Sequence, residues 1–367
     1  MFVNEAQPAI GSSRTDIAIR LASLAEEQER LIEILDRNLP GRANREIQKR
    51  RHVNPLGPGW SWVIYSRSRD TIGGMASVLP RSFWVNSKKV LCGQVIEFAI
   101  EPPYRSLGPA VLLQKATFEP VNSGKVQFGY DCPPHDRGMS TFVRLGMRSV
   151  SDVWRYALLL RSDEYVEKRV GKSILTRPMV VTANVALRHW RSGRSVPGIE
   201  ISPHDKKFDD EFSALDRMTL TPDFVRAGQA ADELNWRYLK DPWAKNRLAG
   251  ALGQYRVFVA RRYGELLAFV IFMIQENGVA WIPNLFGLDL LDSGTALLEA
   301  VVDVCRREKV VRIDTLCSVQ SNLSQALENV GFRRRERVYR VVPYGNAGQS
   351  SGLLNPRWPF TNFEVNY

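Results

Sequence analysis

Between Glu101 and Glu119 the chain reads EPPYRSLGPAVLLQKATFE, and the turn from Arg105 to Ala110 sets two small residues, Gly108 and Ala110, where an apolar helix begins. Backbone N–H groups in the first turn of a helix lack an intrahelical partner, and with the helix dipole they form a site for an anion. Small side chains let a phosphate approach that backbone. Arg105, Ser106, Leu107, Gly108 and Ala110 are therefore candidates for cradling a pyrophosphate; Pro109 removes one donor but suits a first helical turn. The competing reading is a plain joint between strand and helix.

A second group of reactive types is Asp131, Cys132, His135 and Asp136. A Cys and a His three apart, with no second ligand pair, do not make a zinc site, so no metal is expected. A lone Cys more often serves as a small buried hydrophobe than as a nucleophile. His52, His189 and His204 stand in isolation.

The elements that would position these residues follow from periodicity. TDIAIRLAS reads as a strand and LAEEQERLIEILDRNL as an amphipathic helix with Leu24, Leu31, Ile32 and Leu35 on one side. WSWVIYSRS, IGGMASVLPRSFWV and KVLCGQVIEFAIEP are three successive strands, with turns at Ser68–Asp70 and Asn86–Lys88. The helix after Arg105, the strand KVQFGYD, a helix ending before Gly146 and a strand from about Trp154 to Leu160 complete the series.

The series then recurs. Gly331 follows Gly146 by 185 residues, each closing an amphipathic run, and Cys317 follows Cys132 by the same interval at the end of an extended apolar run. SLGPAVLLQKA pairs with DSGTALLEAVV, Gly294 standing 186 residues after Gly108, and Asn54-Pro55 pairs with Asp241-Pro242 at 187. The landmarks imply two copies of one fold. The expected division is 1–175 for the first copy with its phosphate turn, 176–205 for a bridge, 206–345 for the second copy and 346–367 for a tail, either an extended arm or a frayed terminus.

Composition sets the outer limits. At 367 residues, 44% apolar and 24% charged, the chain suits two soluble domains rather than a disordered or fibrous protein. No basic n-region with an apolar stretch opens it and no window reaches about 18 uninterrupted apolar residues, so the expectation is a cytoplasmic protein with no transmembrane segment. Four cysteines without a CxxC pair argue for reduced thiols. A net charge of +11 favours an anionic partner, whether a phosphorylated cofactor, a nucleic acid or a membrane surface.

The order strand, helix, antiparallel strands, strand-turn-helix, strand, helix, Gly-aromatic, strand resembles the GNAT acyltransferase superfamily, here in tandem. Arg105, Gly108 and Ala110 are similar to its acyl-CoA loop, and Gly146-Met147 and Gly331-Phe332 to its closing signature. The resemblance implies an α/β (α+β) fold of two GNAT-like domains, each a mixed, mostly antiparallel sheet flanked by helices. It implies transfer from acetyl-CoA or another acyl-CoA to an amine by direct attack on the thioester, with Glu97 as general base and Tyr130, in place of the Tyr often found before the closing Gly, as proton donor. On the residues alone, Glu97 could equally face solvent and Tyr130 be a core-edge aromatic. The backbone of Phe98, Ala99 and Ile100 would hold the pantetheine and the carbonyl.

The second copy has no Arg before Gly294 and carries Asp289 and Asp292 where a phosphate would sit, so it reads as a degenerate scaffold or acceptor platform. The acceptor would be a small molecule or saccharide, with an association to polysaccharide or cell-envelope metabolism. Two other readings stay open: a Fem-type transferase using aminoacyl-tRNA, which the basic balance would suit, and a non-catalytic acyl-CoA-binding scaffold.

Overall fold

The computed structural model describes residues 16–39, 44–134, 136–163, 197–239, 255–319, 321–345, 353 and 356–365. His135, the Asp241-Pro242 landmark and most of the expected bridge lie outside the described residues.

Helix α1 (Leu24–Asn38) buries Leu31, Ile32, Ile34 and Leu35, the face that its leucine spacing requires, and α2 (Asn44–His52) follows it. β1 (Ile17–Leu21), β2 (Trp60–Ser66), β3 (Thr71–Val85) and β4 (Lys88–Ile100) form an antiparallel meander. Asn86 and Ser87, both at positive φ, make the tight β3–β4 turn that matches the right-handed twist of the strands. Helix α3 (Leu107–Ala116) crosses over to β5 (Phe128–Asp131), parallel to β4, and α4 (Asp136–Arg144) leads to β6 (Ser151–Leu159).

The series repeats. The edge strand β7 (Glu200–Pro203) falls inside the expected bridge; α5 (Asp210–Met218) and the short β8 (Val225–Ala227) follow it. Then come β9 (Arg256–Arg262), β10 (Glu265–Ile274) and β11 (Val279–Gly287), helix α6 (Thr295–Arg307), β12 (Arg312–Ser318), helix α7 (Asn322–Val330) and β13 (Arg333–Tyr344). Gly146 after α4 and Gly331 after α7 both take the left-handed conformation, which explains why both landmarks are glycine.

The main sheet runs β1-β2-β3-β4-β5-β13-β6-β12-β11-β10-β9-β7, with β8 off this path on β3. The order reads alike from either end: β5 and β12, β4 and β11, β3 and β10 occupy matching places. β6, from the first half, lies against β12, and β13, from the second, lies against β5. The first and second parts of the chain thus exchange their last strands across one continuous sheet. A bulge in β4 between Ile96 and Ala99 has a counterpart in β11 between Trp281 and Asn284, each residue 185 positions on.

Burial follows this plan. One cluster joins the halves around Phe83, Tyr130, Phe269 and Val341. A second fills the sheet against α6 and α7 through Leu297, Val301 and Leu327, and a third packs Leu113 of α3 on Ile64, Val78 and Val95. Residues 356–365 return to the joining cluster as an arm that ends in the one-turn helix Asn362–Val365, with Trp358, Phe360 and Phe363 buried. The Ser318 N–H donates to the Phe360 carbonyl at 2.7 Å, and Gln94 Nε2 donates to the Glu364 carbonyl at 3.0 Å. Among the described residues no helix is long and apolar enough to cross a membrane.

Candidate functional site

β4 and β5 pair through Cys92↔Phe128, Gly93↔Gly129 and Gln94↔Tyr130, and there the pairing ends. β4 continues to Ile100, so among the described residues its 95–100 edge has no strand partner on the β5 side. That edge lies at the carboxyl end of β4, past its pairing with the parallel β5, the place where open α/β sheets present ligand sites. Its residues run from the bulge through Phe98, Ala99 and Ile100 to the turn that starts α3. The free N–H and C=O groups of such an edge can pair with an extended amide-bearing ligand as another strand would.

Glu97 sits in the bulge with φ +56°, a conformation that costs a non-glycine residue energy and recurs at functional positions. Its carboxylate is buried rather than facing solvent. Arg51 Nη1 donates to Oε2 at 2.7 Å, Gln48 Nε2 donates to the same oxygen at 2.9 Å, and Ser77 Oγ reaches it at 3.5 Å. The Arg51 and Glu97 side chains are 5% and 4% exposed, a desolvated ion pair. Arg51 Nε and Nη2 have no partner among the described residues, which leaves unused donors beside the carboxylate. Arg51 and Gln48 belong to α2, an almost wholly polar helix that the sequence reading did not place. Its regular spacing from Gln48 to Arg51, one helical turn, was the available signal.

Beyond the end of β4, Ser106 is extended and precedes α3 without a side-chain cap. Pro109 has no N–H and the Ala110 N–H bonds the Ser106 carbonyl at 3.2 Å, so among the described residues the open donors of this turn are the N–H groups of Leu107 and Gly108. A Cβ at Gly108 would meet nothing within 4 Å, so the surface there is open to a ligand rather than closed by packing. Arg105 is exposed but fixed: Nε donates to the Ile100 carbonyl at 2.7 Å and Nη2 to Asn38 Oδ1 at 2.6 Å. It clamps the end of β4 to the end of α1.

The other sequence candidates lie elsewhere. Tyr130 is fully buried in the cluster that joins the halves and its hydroxyl donates to the Glu364 carbonyl at 2.8 Å; burial holds the phenol well above its ordinary range. Cys132 is half-buried and burial raises its thiol too, so it stays protonated near neutral pH. Asp131 is pushed up to about 7 by burial, and exposed Asp136 pairs with Arg340. The structure therefore unites Glu97, residues 98–100 and the α3 turn along one strand, with Tyr130 pointing into the core below it.

No family profile and no curated protein sequence matches the chain. Solved structures share its fold. A GCN5-related N-acetyltransferase from Anabaena variabilis is similar at 15% identity over 89% of this chain and 72% of that one, TM-score 0.61. A conserved protein of unknown function from Enterococcus faecalis, described as a probable N-acyltransferase, aligns over 89% and 72% at 12% identity, TM-score 0.60. The N-myristoyltransferase of Saccharomyces cerevisiae, solved with bound myristoyl-CoA and inhibitors, aligns over 98% and 88% at 12% identity, TM-score 0.58. The chain shares the GNAT N-acyltransferase fold of these structures.

Proposed function

We propose that the protein is an acyl-CoA-dependent N-acyltransferase whose first half carries the reaction. The observation that carries this reading is the continuous track along β4: a buried carboxylate in a bulge, then an unpaired strand edge, then a helix start whose N–H groups are open. That track matches an acyl-CoA in order and in chemistry. The Leu107 and Gly108 N–H groups would take the pyrophosphate, with Arg105, Ser106 and Ala110 shaping the turn. The free edge at Phe98, Ala99 and Ile100 would pair with the amides of pantetheine. The thioester would then lie beside the bulge. The myristoyl-CoA bound to the yeast N-myristoyltransferase, a protein of the same fold, supports this choice of co-substrate.

In the reaction an amine nitrogen attacks the thioester carbonyl carbon, the carbon–sulfur bond breaks, and the nitrogen gives up a proton. Glu97 is the proposed acceptor of that proton. All three of its observed contacts fall on Oε2, which leaves Oε1 to face the amine. The leaving thiolate needs a proton in return; Tyr130 is the proposed source, and its hydroxyl would have to leave the Glu364 carbonyl to supply it. Residues 206–345 are proposed as the platform that completes the fold and holds the acceptor side. A small-molecule or saccharide amine in the cytoplasm is the proposed acceptor.

Calorimetric titration with CoA and with acetyl-CoA tests the reading, on wild type and on Gly108→Glu. The expectation is saturable binding of both ligands that the variant loses, because a carboxylate would occupy the open space and repel the pyrophosphate. Absence of heat and of any thermal shift with wild type at about millimolar ligand would sink it. The net charge of +11 would then favour the tRNA-dependent alternative, or a scaffold.

A further inference from the structure

The proposed acyl-CoA track along β4 has an inner end. Pairing of β4 with β5 stops at Gln94↔Tyr130, and Glu97, in the bulge, lies three residues further along the strand. At the rise of a β-strand that interval is about 10 Å. With pantetheine on the edge at residues 98–100, a thioester beside the bulge would send its acyl group along this interval, toward the last pair.

That end is filled on both faces of the sheet. Gln94 and Tyr130 are buried, and both donate to one acceptor, the Glu364 carbonyl of the returning arm, at 3.0 and 2.8 Å. Arg81 holds the same junction: its Nη1 donates to Gln94 Oε1 at 2.9 Å, and its guanidinium lies 4.9 Å from the centre of the Phe363 ring. The Tyr130 ring meets Phe360 edge-on at 5.3 Å and Phe83 at 5.1 Å. Successive strand residues face opposite ways, so Val95 and Gly129 look onto the other face. There Val95 is buried in one cluster with Leu113 of α3, and the Tyr344 ring covers Gly129 so closely that a Cβ would come within 2.0 Å of it. At the bulge itself the buried Arg51–Glu97 pair lies beside Gln48 and Ser77. A hydrocarbon chain that outran the interval would have to displace buried side chains and break hydrogen bonds whose groups have no water to turn to. Close-packed interiors do not yield such a channel by small shifts.

We infer that the acyl donor is a short-chain acyl-CoA, and that the junction of Gln94, Tyr130 and the Glu364 carbonyl sets the limit. The interval of about 10 Å, less one van der Waals contact of about 4 Å at the junction, holds an acyl group of about four carbons. This rests on the acyl-CoA reading of the first half and narrows it. The fold leaves acyl length open, and the filling at this junction decides it. The returning arm thereby has a part in the site, its carbonyl pinning the two side chains against which the acyl group ends.

Calorimetric titration of the full-length chain with CoA, acetyl-CoA, butyryl-CoA and octanoyl-CoA reads the limit without any acceptor. Acetyl-CoA and butyryl-CoA should bind, and octanoyl-CoA should bind no tighter than acetyl-CoA. In a channel each methylene taken out of water would strengthen binding about fourfold, so octanoyl-CoA would be the tighter ligand by about a thousandfold. Tyr130→Ala removes one wall of the junction and should raise octanoyl-CoA affinity relative to acetyl-CoA by about tenfold or more. Gln94→Ala removes the other wall, should raise that ratio about fourfold, and carries the test if Tyr130→Ala fails to fold. Octanoyl-CoA tighter than acetyl-CoA by more than about threefold in wild type, or a chain-length ratio unchanged in the folded variants, overturns this inference alone. Absence of binding by CoA itself removes the acyl-CoA reading, and this inference with it.

Discussion

The joining core contains a carboxyl whose charge state can be read through stability. Glu233 is 3% exposed, and its Oε1 has no hydrogen-bond partner among the described residues. The cation that attracts it most is Arg81, but that guanidinium is directed elsewhere, Nη1 to Gln94 Oε1 at 2.9 Å and Nη2 to the Phe363 carbonyl at 3.4 Å. Desolvation outweighs the attraction of Arg81, and the carboxyl is pushed from its ordinary 4.5 up to about 7. The folded protein therefore keeps a proton that the unfolded chain releases near 4.5. Stability from this group is fully present below that value and is lost as pH rises toward 7. A separation of this size corresponds to about 3 kcal/mol once both states are ionised. Glu233→Gln has no proton to lose. Urea unfolding at about pH 5 and pH 8 should show wild type falling by about 2–3 kcal/mol relative to the variant across that interval. If instead Glu233→Gln is the less stable protein at the higher pH, by about 1 kcal/mol or more, Glu233 is an ion-pair partner of Arg81 and the desolvation argument is wrong.

Glu97→Gln should lower kcat by about a hundredfold or more while acyl-CoA affinity stays within about twofold, and it should cost about 3 kcal/mol of stability by leaving Arg51 buried without its counter-charge. Adding Arg51→Met should restore stability but not rate; an active single variant would remove Glu97 from the chemistry. Tyr130→Phe should cost about 1 kcal/mol in urea through the lost bond to the Glu364 carbonyl. A proton-donor role further requires a rate loss of about tenfold or more, whereas an unchanged rate makes the residue structural. Phe360, fully buried against Phe83, Tyr130 and Trp358, should cost about 3–5 kcal/mol when cut to Ala. An unchanged thermal midpoint would mean the arm is peripheral.

The elements were legible because their period is local. Alternation located β2, β3 and β4, leucine spacing located α1, and the paired glycines and cysteines disclosed the duplication, since each reflects a backbone conformation or a core place that both copies need. α2 escaped notice: its sequence NREIQKRRH is almost wholly polar, and its contribution to the site, Gln48 and Arg51 on Glu97, is tertiary. The burial of Glu97 could not be read from alternation either, because a bulge shifts the face on which later residues of β4 lie. The exchange of β6 and β13 was invisible for a related reason. Both strands carry the right pattern for either neighbour, and the choice between them is made by contacts far apart in the chain.

That exchange decides what the second half is for. β13 closes the open edge of β5 through Val342↔Asp131, Pro343↔Tyr130 and Tyr344↔Gly129. At the last of these pairs the Tyr344 ring lies where a side chain on residue 129 would be; a Cβ there would come within 2.0 Å of it, so glycine is required by close approach. The Tyr344 hydroxyl then donates to the Thr117 carbonyl at 3.0 Å, at the C-terminal end of α3, and its ring packs on Phe118. The helix whose first turn is proposed to hold the pyrophosphate is thus anchored at its other end by a residue from the second half. A chain cut after residue 175 would lose that anchor, leave β5 with an open edge, and expose β6 without β12 or β13 beside it. The proposed pyrophosphate turn therefore depends on the second half through β13, which pairs with β5 and anchors the far end of α3.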